Sequence, residues 1–335
     1  MFSLRNRKLS TLTSCLLNCS FVTEIKYFFL YSYCGCGKYA SSKSQSKQTR
    51  RTLAASIKQK IFIMTYRKAV ITHLEKYKKE NHKNIPNGIY RGNLREHIFQ
   101  KNLQENNLLE VYRSDLIKSE LYNIQKLHTY FNHLNSSQAM CFNFFYPLYH
   151  ERKLELVLNF LGMPNEKVNY KSVCFEKDGI DGDYLNKRRP TSFDFYLKTE
   201  TEKEIFFEIK YTESGFGKAK GDDEHKLKFA EIYSKYLHSL KSNFHSRKIF
   251  FENYQICRNL IHISENSYVV FLHPSNNKSI CKGAKKAQTE IVIDKYSNHF
   301  HSLTWETLLE FVMKEVQNKK LSKQFIEFRK KYITE

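Results

Sequence analysis

The sequence predicts an α/β fold, a central mixed sheet flanked by helices with accessory helices at both ends, and three observations lead to it. Thr191 to Tyr211 alternates apolar and polar residues with period two on both sides of Thr199-Glu-Thr-Glu-Lys203, the pattern of a tight antiparallel hairpin. Ser267-Tyr-Val-Val-Phe-Leu-His273 is an unbroken apolar run closed by Pro274, as expected of a strand buried on both faces. Segments with apolar residues at helical spacing lie before, between and after these strands and supply the cover such a sheet needs.

Residues 1–63 are rich in Ser, Lys and Arg, with Glu24 their only acidic residue. Glu24 and Lys26 interrupt the apolar residues around them, so no run reaches the roughly 20 residues that span a bilayer. The composition also fits an organelle transit segment. The preferred reading is an extension with no folded role, because Met64 opens a cleaner helical segment, Thr65 to Tyr77, and is the expected true start. Residues 64–131 read as a charged, helical accessory segment, broken by turn chemistry at Asn84-Ile-Pro-Asn-Gly88. Asn81 to Arg95 interleaves Lys, Arg and Tyr, which suits either a phosphate backbone or a solvated loop.

Residues 132–335 form the main domain. Ser136 to Leu161 is the first core helix, or a helix pair broken near Pro147, with Leu154, Val157, Leu158 and Leu161 as its packing stripe. Glu151 and Glu155 fall on one face at i and i+4, beside Arg152 and Lys153. Lys171 to Glu176 reads as a strand with Val173 and Phe175 facing one way and Cys174 and Glu176 the other, which makes Glu176 a candidate metal ligand. Asp178-Gly-Ile-Asp-Gly-Asp183 lacks the spacing of a calcium loop and reads as a turn. Lys187, Arg188 and Arg189 lead into the hairpin, and either meet a phosphodiester backbone or stay solvated. Beyond the hairpin, Gly215-Phe-Gly-Lys-Ala-Lys-Gly221 is a flexible basic loop whose Lys218 and Lys220 are candidate nucleic-acid contacts; it lacks the ending of a nucleotide P-loop. Glu224 to Leu240 and Phe244 to Ile263 read as amphipathic helices, the second with Gln255, Arg258 and Asn259 on one polar face. Thr304 to Gln317 and Lys323 to Tyr332 add terminal helices.

With the hairpin turn centred on Thr201, Asp194 sits opposite Glu208 and Tyr196 opposite Phe206. Asp194, Glu208 and Lys210 then share one face, while Phe193, Phe195, Leu197, Ile205, Phe207 and Ile209 line the other. A slip of one residue would send Asp194 into the apolar layer. Two like charges across a sheet repel unless a cation lies between them, and hard oxygen ligands suit Mg²⁺ or Mn²⁺. Such an ion polarises a phosphate and acidifies a water, and Lys210 stands where it can orient or deprotonate that water and offset developing charge. An amphipathic hairpin with Asp, Glu and Lys on its wet face is also common without any such chemistry.

The hairpin, together with His133-Leu-Asn-Ser-Ser-Gln-Ala-Met-Cys-Phe-Asn-Phe-Phe145, Tyr211-Thr-Glu-Ser-Gly-Phe-Gly217 and Tyr254-Gln-Ile-Cys-Arg-Asn-Leu260, resembles a bacterial restriction-endonuclease-like branch of the PD-(D/E)XK nuclease superfamily. The resemblance runs from about Asn132 to Asn277. It implies a restriction-endonuclease-like core, Asp194 as the motif aspartate and Glu208 with Lys210 as the Glu-x-Lys pair. The departure is Phe193 in the place of the motif proline, with Pro190 further back, at a position where that superfamily is tolerant. It further implies that an acidic residue of the first helix, Glu151 or Glu155, assists the metal, and that Gln255 reaches the active site.

A formal charge of +21 points to a polyanionic partner, with affinity that falls as salt rises, although an AT-rich genome also inflates Lys and Asn. DNA is the expected partner, with room for a homodimer and no membrane. Cys15, Cys19, Cys34, Cys36, Cys141, Cys174, Cys257 and Cys281 show no paired C-x-x-C spacing, so no zinc site is indicated and a reducing cytoplasm is the expected location. The leading expectation is thus a Mg²⁺-dependent endonuclease of restriction or defence type acting on DNA. A catalytically idle nucleic-acid-binding protein that keeps the fold is the alternative, and a protein-interaction domain would explain the hairpin but not the charge.

Overall fold

The computed structural model describes residues 65–125, 127–181 and 191–334. The expected extension, 1–63, and the basic run Lys187, Arg188 and Arg189 lie outside the described residues. Helix α1 (Tyr66–Asn81), capped by the Thr65 hydroxyl, leads into a ribbon of β1 (Asn87–Tyr90) and β2 (Asn93–Phe99). Then come α2 (Glu110–Lys118), α3 (Glu120–Asn123), α4 (Ser137–His150) and α5 (Glu155–Phe160). The sheet strands are β3 (Val168–Asp178), β4 (Ser192–Thr199) and β5 (Glu204–Ile209), followed after a helical excursion by β6 (Ser267–His273) and β7 (Phe300–Thr304). That excursion contains α6 (Asp223–Glu231), α7 (Arg247–Glu252) and α8 (Tyr254–Leu260). Helix α9 (Lys278–Lys286) joins β6 to β7, and α10 (Trp305–Glu315) and α11 (Lys319–Tyr332) close the chain.

The central sheet has five strands in the order β3-β4-β5-β6-β7, antiparallel from β3 to β5 and parallel from β5 to β7, so it is mixed, as the sequence predicts. Both faces are covered. On one, Phe195, Leu197, Ile205, Phe207 and Ile209 pack under α4, α10 and α11 with Phe144, Phe145, Trp305 and Phe328. On the other, Phe206, Val269 and Phe271 pack under α7 and α8 with Phe250, Tyr254 and Ile256. The β4–β5 register pairs Phe195 with Phe207, Tyr196 with Phe206 and Leu197 with Ile205, as a turn centred on Thr201 requires. No helix among the described residues is long and apolar enough to cross a membrane.

Several expectations need correction. Residues 64–131 are not helical throughout: the β1–β2 ribbon occupies the stretch expected to be helix and loop. Helix α4 runs through Pro147 instead of breaking there. A proline strips the i−4 carbonyl of its donor, but the Gln324 side chain donates to that carbonyl, Asn143 O, at 2.7 Å. The two helices expected over Glu224–Leu240 and Phe244–Ile263 are each broken, by 3₁₀ turns after α6 and by Asn253 between α7 and α8. Phe193 leaves the face of Phe195 and packs on Phe206 and His262. The strict alternation fails there, next to Glu176 of the neighbouring strand, which takes a left-handed φ of 52°.

Candidate active site

The β3–β4 register pairs Phe175 with Phe195 and Lys177 with Phe193, which sets Glu176 opposite Asp194; the β4–β5 register continues that row to Glu208. Three carboxylates therefore stand side by side across β3, β4 and β5, with Lys210 one step beyond the end of β5. The face is not wet as expected: α8 lies over it, and Glu208 and Lys210 are only 5% and 6% exposed. Lys210 Nζ contacts Glu208 Oε1 at 2.7 Å. Gln255 Nε2 donates to Glu208 Oε1 and Asn259 Nδ2 to Glu208 Oε2, each at 2.9 Å, so the two amides of α8 fix the carboxylate plane. Asp194 Oδ2 accepts the Ile209 backbone N–H at 2.7 Å, which ties β4 to β5 at the row.

The electrostatics follow from this crowding. Burial and then the charges of Glu208 and Glu176 push the Asp194 carboxyl well above the usual carboxylate range, against the pull of the Ile209 N–H and Lys210. Burial disfavours the Lys210 ammonium, but the carboxylates of Glu208 and Glu213 outweigh it and raise its pKa, so it stays protonated. The row thus holds more negative charge than one lysine neutralises. That donor set fits a hard divalent cation, which would take the place of the proton that Asp194 otherwise retains. Among the described residues no three His, Cys, Asp or Glu side chains converge as a ready-made cage.

Glu176 joins the row through partners of its own: Gln138 Nε2 donates to Oε1 at 2.9 Å, Ser192 Oγ to Oε2 at 3.0 Å, and His128 Nε2 lies 3.4 Å from Oε2. Gln255 also receives the Gly217 N–H on Oε1, at 2.9 Å, and so pins the basic loop beside Glu208, with Lys218 and Lys220 exposed on it. The structure does not bring Glu151 and Glu155 to the row. Glu151 accepts from Tyr112 and Asn318, and Glu155 from Tyr170 and the Val168 N–H. Cys141 of α4 reaches the Asp194 carbonyl, and Glu151 follows ten residues later, a rise of about 15 Å along the helix. Their expected i, i+4 relation is lost because α4 stops at His150 and a new helix starts at Glu155. Sequence reasoning missed the roles of Asn259, Gln138 and His128; only the shared polar face of Gln255 and Asn259 signalled one of them.

A cavity of about 350 Å³ opens beside Glu176, at one end of the row, lined also by His128, Ser192, Tyr254 and Arg258. A second of about 350 Å³ shares His128 and extends past His133, Tyr130 and His97 to Tyr90 and Arg67. A cavity of about 600 Å³ lies at the other end of the hairpin, by Lys203, and has no carboxylate row.

No curated protein and no solved structure matches the chain. The family model described as Restriction Endonuclease associating with ARP matches residues 71–333. That span takes in every strand of the sheet, the acidic row and the α8 amides that hold it, and the chain belongs to the family of restriction endonucleases associating with ARP.

Proposed function

We propose that the chain is a Mg²⁺-dependent endonuclease of the PD-(D/E)XK type that hydrolyses DNA phosphodiester bonds in restriction or defence, with Mn²⁺ an acceptable substitute. The observation that carries this reading is the union of Asp194, Glu208 and Lys210 in one enclosed row whose negative charge exceeds its positive charge. Asp194 and Glu208 would hold the ion, and Glu176 lies close enough in the row to add to its field. When bound, the ion supplies charge neutralisation at the scissile phosphate and a more acidic water.

The chain's own residues account for the remainder. Gln255 and Asn259 hold Glu208 in one orientation, so no reorganisation is needed as substrate arrives. Lys210, protonated and in contact with Glu208, orients the attacking water by hydrogen bonding and offsets charge that builds on the phosphate oxygens. Because its ammonium is favoured by two carboxylates, orientation fits it better than proton abstraction. Lys218 and Lys220, on the loop pinned by Gln255, stand where they can meet the phosphate backbone.

Incubation of the full chain with plasmid and with single-stranded DNA, plus Mg²⁺, tests the reading beside Lys210→Ala. Cleavage by the wild type and none by the variant is expected. Binding without cleavage in Mg²⁺ and Mn²⁺ would leave a nucleic-acid-binding protein that keeps the fold.

A further inference from the structure

The β1–β2 ribbon is built to stand out from the body. Lys78, itself buried, donates to Pro86 O, Asn87 Oδ1 and Ile98 O and so clamps its base. Gly88 permits a close crossing there, since a Cβ would lie 2.3 Å from Phe99 O. Beyond the base the chain turns in two residues, Arg91 at φ 50° and Gly92 at φ 76°, the left-handed pair that a tight hairpin needs. Residues 91–96 are all exposed, so the ribbon is solvated on both faces.

Its side chains divide by face. Ile89 and Leu94 pair across the strands and are 71% and 65% exposed. Tyr90, Arg95 and His97 alternate onto the other face, where Tyr90 meets Tyr130 and His133 edge-on. Tyr90 and His97 of that face line one cavity, which shares His128 with the neighbouring cavity beside Glu176. Between Asn81 and Arg95 the charged residues are all basic, and Glu96, the next one, is paired with Lys79 at 2.8 Å.

We propose that this ribbon is the duplex-reading element of the chain, entering the major groove of double-stranded DNA whose backbone passes along the two cavities that meet at His128 towards Glu176. Strands about 4.8 Å apart, with their side chains, match a groove about 12 Å wide that is known to admit a two-stranded ribbon. Arg91 and Arg95 supply donors for phosphate or guanine edges, and Ile89 with Leu94 an apolar surface for thymine methyls. A protein partner is disfavoured: two apolar side chains flanked by arginines are far short of the roughly 1,000 Å² that a stable protein interface buries. The proposal rests on the nuclease reading above for the path of the DNA, but not for the contact itself.

The test measures binding of a short labelled duplex by the full chain as a function of salt, and plasmid cleavage in Mg²⁺. Arg91→Ala with Arg95→Ala is expected to weaken binding about tenfold or more and to lower the slope of log K against log salt by about two. Ile89→Ser with Leu94→Ser should weaken it several-fold with the slope unchanged, because no charge is lost. Lys319→Ala with Lys323→Ala removes equal charge from α11, on the far side by Asp115 and Glu151, and should leave affinity within about twofold. Thermal melts that match the wild type show that these exposed changes leave the fold intact. Equal losses in the two charge-removing pairs, or a wild type that does not bind duplex, overturn the proposal. Ribbon variants that bind and cut like the wild type also overturn it, and assign the ribbon to a protein partner. A wild type that binds but does not cut sinks the nuclease reading alone, since the ribbon is then judged on affinity.

Discussion

Asp181 lies just past β3 and Asp194 within β4, and the surroundings of the two carboxylates are opposite. Asp181, 1% exposed, accepts from the Thr191 N–H at 2.8 Å and the Tyr233 hydroxyl at 2.9 Å and faces the Lys228 ammonium at 3.5 Å. Burial pushes its pKa up, yet these partners together hold it below the ordinary value. Asp194 has one backbone N–H and a row of like charges, and its pKa rises. A buried carboxylate surrounded by donors stabilises a fold; one crowded by other carboxylates is costly unless a cation arrives. The difference separates a group that serves the architecture from one that the proposed function assigns to the chemistry.

Removing each carboxylate in turn should break the pair apart. Asp194→Asn is expected to lower plasmid cleavage by roughly a thousandfold or more while the urea midpoint holds or rises, because a neutral amide needs neither a proton nor a cation beside Glu208 and Glu176. Cleavage within a few-fold of the wild type would sink the site assignment. Asp181→Ala should do the reverse. It leaves a buried hydroxyl and an N–H without their acceptor and is expected to cost about 3 kcal/mol in urea unfolding, with cleavage by the folded fraction retained. The deficit should also depend on pH. A folded pKa held below the unfolded value contributes stability that is present above the unfolded value and is lost as pH falls through the folded one. The gap between wild type and Asp181→Ala should therefore shrink as pH drops below about 4.

Metal sharpens the contrast. Mg²⁺ at about a hundred times its Kd should stabilise the wild type by about 2.7 kcal/mol, and Asp194→Asn by much less, in thermal melts. Equal shifts in both would place the ion elsewhere. The smallest effect expected is that of Gln255→Ala: about tenfold weaker metal dependence of cleavage, with stability little changed, since Glu208 keeps Asn259 and Lys210.

How much of this was legible depended on how local each feature is. The hairpin register and the meeting of Asp194 with Glu208 follow from period-two alternation about a short turn, and both are set within a few residues. Glu176 was visible only as an outward residue of a strand; its place opposite Asp194 depends on pairing across the loop, which no periodicity encodes. The β1–β2 ribbon escaped notice because its outer part carries only Ile89 and Leu94 as an apolar pair, too few to give alternation, although Arg91-Gly92-Asn93 is a turn. Glu151 and Glu155 misled because their spacing assumes one helix, and where a helix stops is decided by capping and by donors from distant residues such as Gln324.

The parallel pairing of β5 with β6 also sets the order in which the molecule becomes what it is. Strands β4 and β5 close through a short turn as soon as they are made, whereas β5 finds β6 only after the chain from Ile209 to Ser267 has been synthesised, and Gln255 and Asn259 lie inside that stretch. A nascent chain that has reached Tyr211 carries both acids and the lysine with no helix over them. Helix α11 then shuts the core from the other side, where buried Lys331 donates to the carbonyl and side chain of Asn107. Closure of the row thus trails synthesis: the three side chains are covered only when distant stretches of the chain have closed on one another.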